Sequence, residues 1–168
     1  MKKYLFLLLL LCISGPIMAQ QMLSIADTIQ IQQSGNMHFA NELVEKKGYQ
    51  RFDATGVVAD SLASRNHWYA QGCELDAHFF PVSKPESTAS VVEVMEKSHY
   101  FVSLIVYSES LMKDLATQIV NEGYRQEPTN LGEQHFTKGE SFFYIYPNSV
   151  HPSYWTILLG WQIDIDEI

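Results

Sequence analysis

Two stretches of this chain, 75 positions apart, share one spelling. Residues 43–50 read LVEKKGYQ and residues 118–126 read QIVNEGYRQ. Upstream of each the apolar spacing is also kept, with Met37, Ala40 and Val44 standing 75 positions before Met112, Leu115 and Ile119. Apolar residues at i, i+3 and i+7 fall on one stripe of a helix, so helices are expected over 36–47 and 110–122. A helix commonly ends on a residue in the left-handed conformation, which glycine adopts without a Cβ clash. Gly48 and Gly123 take that place, and the tyrosine after each packs back on the last turn, Tyr49 on Val44 and Tyr124 on Ile119. Each helix then has an apolar stripe to bury and needs a surface beneath it.

The sequence after each helix supplies that surface. Residues 69–79, YAQGCELDAHF, lie over residues 136–146, FTKGESFFYIY, at an offset of 67. Each reads as a short strand, a turn at Gly72 or Gly139, and an alternating strand. Residues 100–107, YFVSLIVY, lie over residues 154–161, YWTILLGW, at an offset of 54. The offset shrinks because the first copy carries longer connections, about 53–64 and 81–98. The second of these includes SVVEVME (90–96), read as an extra or longer hairpin strand. The expected fold class is α+β: two tandem repeats, 36–108 and 109–168, each one helix followed by a three- to four-stranded antiparallel sheet. Ile25, Ile29 and Ile31 in IADTIQIQ assign residues 20–35 to an edge strand or a tether.

Residues 1–19 have the order of a secretory signal peptide: Lys2 and Lys3, an apolar run from Leu5 to Ile13, then Gly15, Pro16 and Ala19. The run is too short to span a bilayer, which takes about 20 apolar residues. The expectation is an exported, periplasmic or secreted protein, cleaved after Ala19 or Gln20. The whole chain carries 11 basic and 19 acidic side chains. Losing two lysines and no acid with the leader makes the balance more acidic still. Nucleic-acid affinity comes from Lys and Arg neutralising phosphate, so nucleic acid is excluded as a partner. Only Cys73 follows the leader, so no disulfide can form within the chain, and the core must hold it.

An exported chain built from two helix-then-antiparallel-sheet units resembles the β-lactamase inhibitor protein family and similar small α/β repeat proteins of bacterial envelopes. The resemblance spans about 36–163 and is one of architecture. It implies a sheet face presented to a partner protein. The chain departs from that family in having no cysteine pair with which to staple its repeats.

Catalytic signatures such as G-x-S-x-G, H-E-x-x-H and the phosphate loop are missing, and no cofactor is expected. Cys73 admits two readings: a nucleophile served by His67 or His78, or a small buried hydrophobe alternating with Leu75, Ala77 and Phe79. Its aligned counterpart is Glu140, so the repeated unit does not require a thiol. Glu74, Asp76 and His78 fall at i, i+2 and i+4 of the expected strand. They could grip a divalent cation or simply form a solvated face. About 7 Å separates successive members along a strand, which is too far for all three to meet one ion without a further group.

The last strand sends Trp155, Ile157, Leu159 and Trp161 into the core and Tyr154, Thr156, Leu158 and Gly160 outward. On the offset of 54 the outward set of the first copy is Tyr100, Val102, Leu104 and Val106, wholly apolar. With Phe143 and Ile145 opposite Phe142, Tyr144 and Tyr146, the strands carry more apolar surface than one helix per unit covers. That surface is either packing between the units or a binding site. The function expected is recognition of a protein, peptide or envelope ligand across the sheet face through Trp68, Tyr100, Tyr144 and Tyr154. The alternatives are a hydrolase or metal-dependent enzyme using Cys73 and His78, and a structural subunit of an envelope assembly.

Overall fold

The computed structural model describes residues 21–52, 66–76, 78–96, 100–129, 132–148 and 153–161. The expected leader, 1–19, and the acidic tail, 164–168, lie outside them. The described residues form three helices and one antiparallel sheet of eight strands. Helix α1 spans Ile25–Ser34, α2 spans Met37–Lys46 and α3 spans Glu109–Asn121. The strands are β1 Gln50–Phe52, β2 Asn66–Gln71, β3 Ser90–Glu96, β4 Tyr100–Val106, β5 Arg125–Glu127, β6 Gln134–Lys138, β7 Ser141–Pro147 and β8 Trp155–Trp161. Their order across the sheet is β1-β2-β3-β4-β8-β7-β6-β5. Strands β4 and β8 therefore meet at the centre, while β1 and β5 form the edges.

Both helix stops take the expected form. Gly48 and Gly123 have φ of 91° and 86°. In α2 the N–H of Gly48 donates to Glu45 and that of Tyr49 to Val44, at 2.9 and 3.3 Å; Gly123 and Tyr124 repeat the pair on Val120 and Ile119 at the same distances. This is the Schellman arrangement, which satisfies two of the carbonyls a helix end leaves free. Each tyrosine then runs under the sheet to bond the first residue of a strand. The Tyr49 hydroxyl meets Ser90 Oγ at 2.6 Å, and that of Tyr124 meets Ser141 Oγ at 2.8 Å. The helix starts are also set by sequence, with Asn36 accepting from His38 and Phe39 N–H and Ser108 accepting from Leu111 N–H.

The segment expected as an edge strand or tether is helix α1. Ser24 and Asp27 form a reciprocal capping box, and Gly35 closes the helix at φ 54°. The buried residues of α1 are Ile25, Asp27, Thr28, Ile31 and Gln32, and their polar members hide the stripe. Helix α1 packs against β4 and β8 and is flanked by α2 and α3, so it roofs the seam where the two halves of the sheet join. Its N-terminus is tied to both neighbours. Lys47 Nζ reaches Asp27 Oδ2 at 2.8 Å, and Gln118 Oε1 accepts from Ile25 N–H at 3.1 Å.

All three helices lie on one face of the sheet, over Tyr69, Val92, Val94, Val102, Leu104, Phe136, Phe143, Ile145, Ile157 and Leu159. Leu104, Leu115 and Ile119 are fully buried there, and each such side chain contributes about 1.5–3 kcal/mol relative to exposure. The surplus of apolar strand surface is thus met in large part by a third helix.

Two strand expectations are corrected. The described residues between 73 and 79 do not form the expected strand. After β2 the chain leaves the sheet for residues 72–89 and returns as β3, so SVVEVME is the strand that pairs with β2. The second half makes the same connection between β6 and β7 with residues 139–140 alone. The second correction concerns register. Ser90 pairs with Val106 and Ser141 with Trp161, which sets β4 against β8 at an offset of 55, one more than the sequence alignment. A one-residue slip moves every side chain to the opposite face. Tyr100, Val102, Leu104 and Val106 consequently face the helices, and the outward set of β4 is Phe101, Ser103 and Ile105.

Candidate functional site

The helix-free face is the candidate site. Cross-strand pairing aligns one row of side chains over all eight strands: Phe52, Trp68, Glu93, Ser103, Leu158, Tyr144, His135 and Glu127. Neighbouring members of such a row are close enough to interact. A second row brings Phe101, Gly160 and Phe142 together, and a Cβ on Gly160 would lie 2.6 Å from the rings of both phenylalanines. The absence of a side chain there lets the two rings close over the seam.

The two halves of this face differ in cover. Over β1–β4 lie residues 72–89. Leu75 packs with Ala70 and Val91, and Cys73, Ile105 and Tyr107 gather round them. Asp76 shapes a tight turn, its Oδ1 accepting from His78 and Phe80 N–H at 2.8 and 3.0 Å. Those bonds hold its carboxyl below the ordinary carboxylate range. The turn sets Phe79 at φ 63°, a left-handed conformation costing a non-glycine residue about 1–2 kcal/mol. Its ring stacks on Trp68 at 4.2 Å and 19° and meets Phe52 edge-on at 5.8 Å.

Over the second half the row is partly exposed at Leu158, Tyr144 and His135. His135 lies flat on Tyr144, rings 4.2 Å apart and 3° from parallel, and Phe142 meets Tyr144 edge-on at 5.2 Å. His135 Nε2 is shielded from solvent and has no hydrogen-bond partner. Carboxylates flank this shelf. Glu127, next to His135 in the row, holds Thr137 Oγ1 at 2.9 Å and Arg125 at 3.1 Å, contacts that lower its pKa. Glu93 accepts from Asn66 Nδ2 at 2.8 Å. Burial first, then the charges of Glu93 and Glu133, push the Tyr146 hydroxyl up against a lowering bond to Thr156.

Of the four aromatic residues singled out from sequence, three reach this face. Trp68 lies beneath Phe79, Tyr144 forms the shelf with His135, and Tyr154 meets Tyr107 edge-on at 4.5 Å. Tyr100 does not; it packs into the helix-side core, with its hydroxyl on the Met37 backbone. The proposed cation ligands do not converge. Glu74 and His78 are exposed, Asp76 is spent on its own turn, and no group of three or more such side chains that could hold a metal ion occurs among the described residues. Cys73 contacts the Tyr107 hydroxyl, and burial outweighs that bond to push the thiol up. Sequence reading missed His135, whose signal was its alternation with Thr137 and the cross-strand Tyr144.

A separate open cleft of about 500 Å³ lies between residues 72–89 and the start of α3, where Ser87, Thr88, Ser108 and Ser110 meet Glu86 and Asp114. Among the described residues no helix is long and apolar enough to cross a membrane. No protein-family model matches the chain, no curated protein matches it, and no solved structure matches it.

Proposed function

We propose that the chain is an exported recognition protein that binds a protein or peptide of the cell envelope across the helix-free face of its sheet. The observation that carries this reading is the partly exposed shelf of His135, Tyr144 and Leu158, an aromatic surface of the kind that partner sites favour. We further propose that residues 36–108 and 109–168 are two copies of one helix-plus-four-strand unit. In support, both halves run helix, Gly-Tyr stop and four strands, and both add strands from edge to centre.

The alternatives draw less support. A thiol whose pKa is raised is a poor nucleophile near neutral pH, which weighs against a hydrolase at Cys73. Assembly through sheet edges draws little from the described residues, in which β1 and β5 are three residues each, and short edges resist pairing. The test is capture from an envelope extract by the immobilised protein, beside the double variant His135→Ala, Tyr144→Ala. Thermal unfolding would first establish that the variant is folded. A protein retained by the wild type and lost by the variant is the expected result. Equal retention by both would sink the reading.

A further inference from the structure

We infer that the exported chain begins with a pyroglutamyl residue, formed from Gln20 or Gln21, and that this cap keeps exopeptidases from the buried anchor at Leu23. The inference rests on the reading of the chain as exported and leaves the sheet face aside.

Residues 19–21 read AQQ, and the leader is cut after Ala19 or after Gln20. Either cut leaves a glutamine in front. The α-nitrogen of such a glutamine adds to its own side-chain amide carbon, Cδ. The new Cδ–N bond closes a five-membered lactam as the Cδ–Nε2 bond breaks. A proton passes from the α-nitrogen to the departing Nε2, which leaves as ammonia. Nothing is oxidised and no co-reactant is consumed, so an enzyme that speeds the step has only to position the chain end. The product has no α-ammonium, and the chain loses one positive charge.

That first residue stands close to the core. Gln21 is exposed, Met22 is half-buried and Leu23 is fully buried. Residues 21–24 precede α1 without regular structure, and Ser24 caps the helix. An end of this form is open to a cyclising enzyme and to an aminopeptidase alike. The Leu23 N–H donates to the Tyr49 hydroxyl at 3.2 Å. The same hydroxyl meets Ser90 Oγ, so the first buried amide is tied to the stop of α2 and the start of β3. Removal of Gln20, Gln21 and Met22 would turn that amide into an ammonium in a site shielded from water, where a charge costs far more than a neutral N–H. One further step would take a fully buried leucine out of the core. Three residues are thus the whole buffer, and a lactam at their head offers an aminopeptidase no free amine to hold.

The experiment recovers the protein, made with its leader, from the cells that produce it and measures its intact mass. The expected mass is that of a chain starting at Gln20 or Gln21 less one ammonia, with N-terminal sequencing blocked until a pyroglutamyl peptidase is added. This protein and the variant Gln20→Ala, Gln21→Ala are then treated with an aminopeptidase and unfolded by heat. The capped protein should keep its mass and its midpoint, while the variant should be cut back to Leu23 and unfold at a lower temperature. A mature chain that starts with an open glutamine overturns the inference, and so does a variant trimmed no faster than the capped protein. In both of those cases the export reading stands and this inference alone falls. A chain that keeps residues 1–19 overturns the export reading and the inference together.

Discussion

The two halves of the sheet are matched on the face that the helices cover and unlike on the other. Beneath the helices, Tyr49 and Tyr124 do the same work, each closing a helix and bonding the first serine of a strand. On the far face one half carries an 18-residue loop, 72–89, while the other closes in two residues. The comparison separates what a helix-plus-sheet unit needs to fold from what is free to change. The core-side contacts are shared because both stripes must be buried. The outer face is where one half carries residues 72–89 between its second and third strands and the other has only residues 139–140 at the same connection.

Several substitutions would break or sharpen this comparison. The largest expected effect is at the seam, where Gly160→Ala places a methyl 2.6 Å from Phe101 and Phe142. Overpacking of this kind costs about 1–3 kcal/mol, near the upper end here because two rings must move. Chemical denaturation would measure it, and an unchanged midpoint would show that the rings are not held together. Next comes the tyrosine pair. Tyr49→Phe leaves buried Ser90 and the Leu23 N–H without their partner, a loss of about 1–3 kcal/mol. Tyr124→Phe breaks one part-buried bond and costs about 0.5–1.5 kcal/mol. Equal losses would mean that the extra tie to Leu23 contributes nothing.

A smaller effect separates the two ties of α1. Burial alone would raise the Asp27 pKa, but bonds from Lys47 and Ser24 together with the Lys47 charge outweigh it and leave it lowered. A carboxyl with a depressed folded pKa contributes stability above its unfolded value, near 4, and loses it as pH falls through the folded value. Acid therefore loosens the clasp to α2 and spares the neutral bond that Ile25 N–H donates to Gln118 of α3. Asp27→Asn should flatten the acid limb of a stability–pH curve and cost about 1 kcal/mol at neutral pH; a limb that keeps its slope would show that other carboxylates set it. The smallest effect is local. Phe79→Ala should cost about 0.5–1.5 kcal/mol and, by loosening residues 72–89, speed labelling of Cys73, whose thiol burial pushes up. Labelling as fast as a free thiol before substitution would show that the loop shields nothing.

Much of the helix-side architecture was legible because it rests on local chemistry. The Gly-Tyr stops each write one physical need into a few adjacent letters. Helix α1 was hidden because Asp27, Thr28 and Gln32 are buried polar residues, so its stripe did not read as apolar; the Ser24-x-x-Asp27 box was the available signal. The strand expected over 73–79 failed because Cys73, Leu75 and Phe79 alternate in a loop, where the side-chain bonds of Asp76 compete with a ladder. Tyr100 was misplaced by a slip of one residue in alignment, which in a strand exchanges the faces completely. Three of the four chosen aromatic positions reached the outer face, but the pairing of Tyr144 with His135 depends on a register that only the sheet supplies.

Strand β8 joins the two halves, since it is the strand that pairs with β4, and it comes after every other described element. Until Trp155–Trp161 has been synthesised, β4 has a bare flank and α1 has only part of its floor. The closing contact links residues some 55 positions apart in sequence, so assembly is governed by a distant pairing and is expected to be slow for a chain of this size. A polypeptide interrupted before that strand would present a row of valines and leucines with unclaimed backbone amides, which is the form in which proteins of this shape stick to one another.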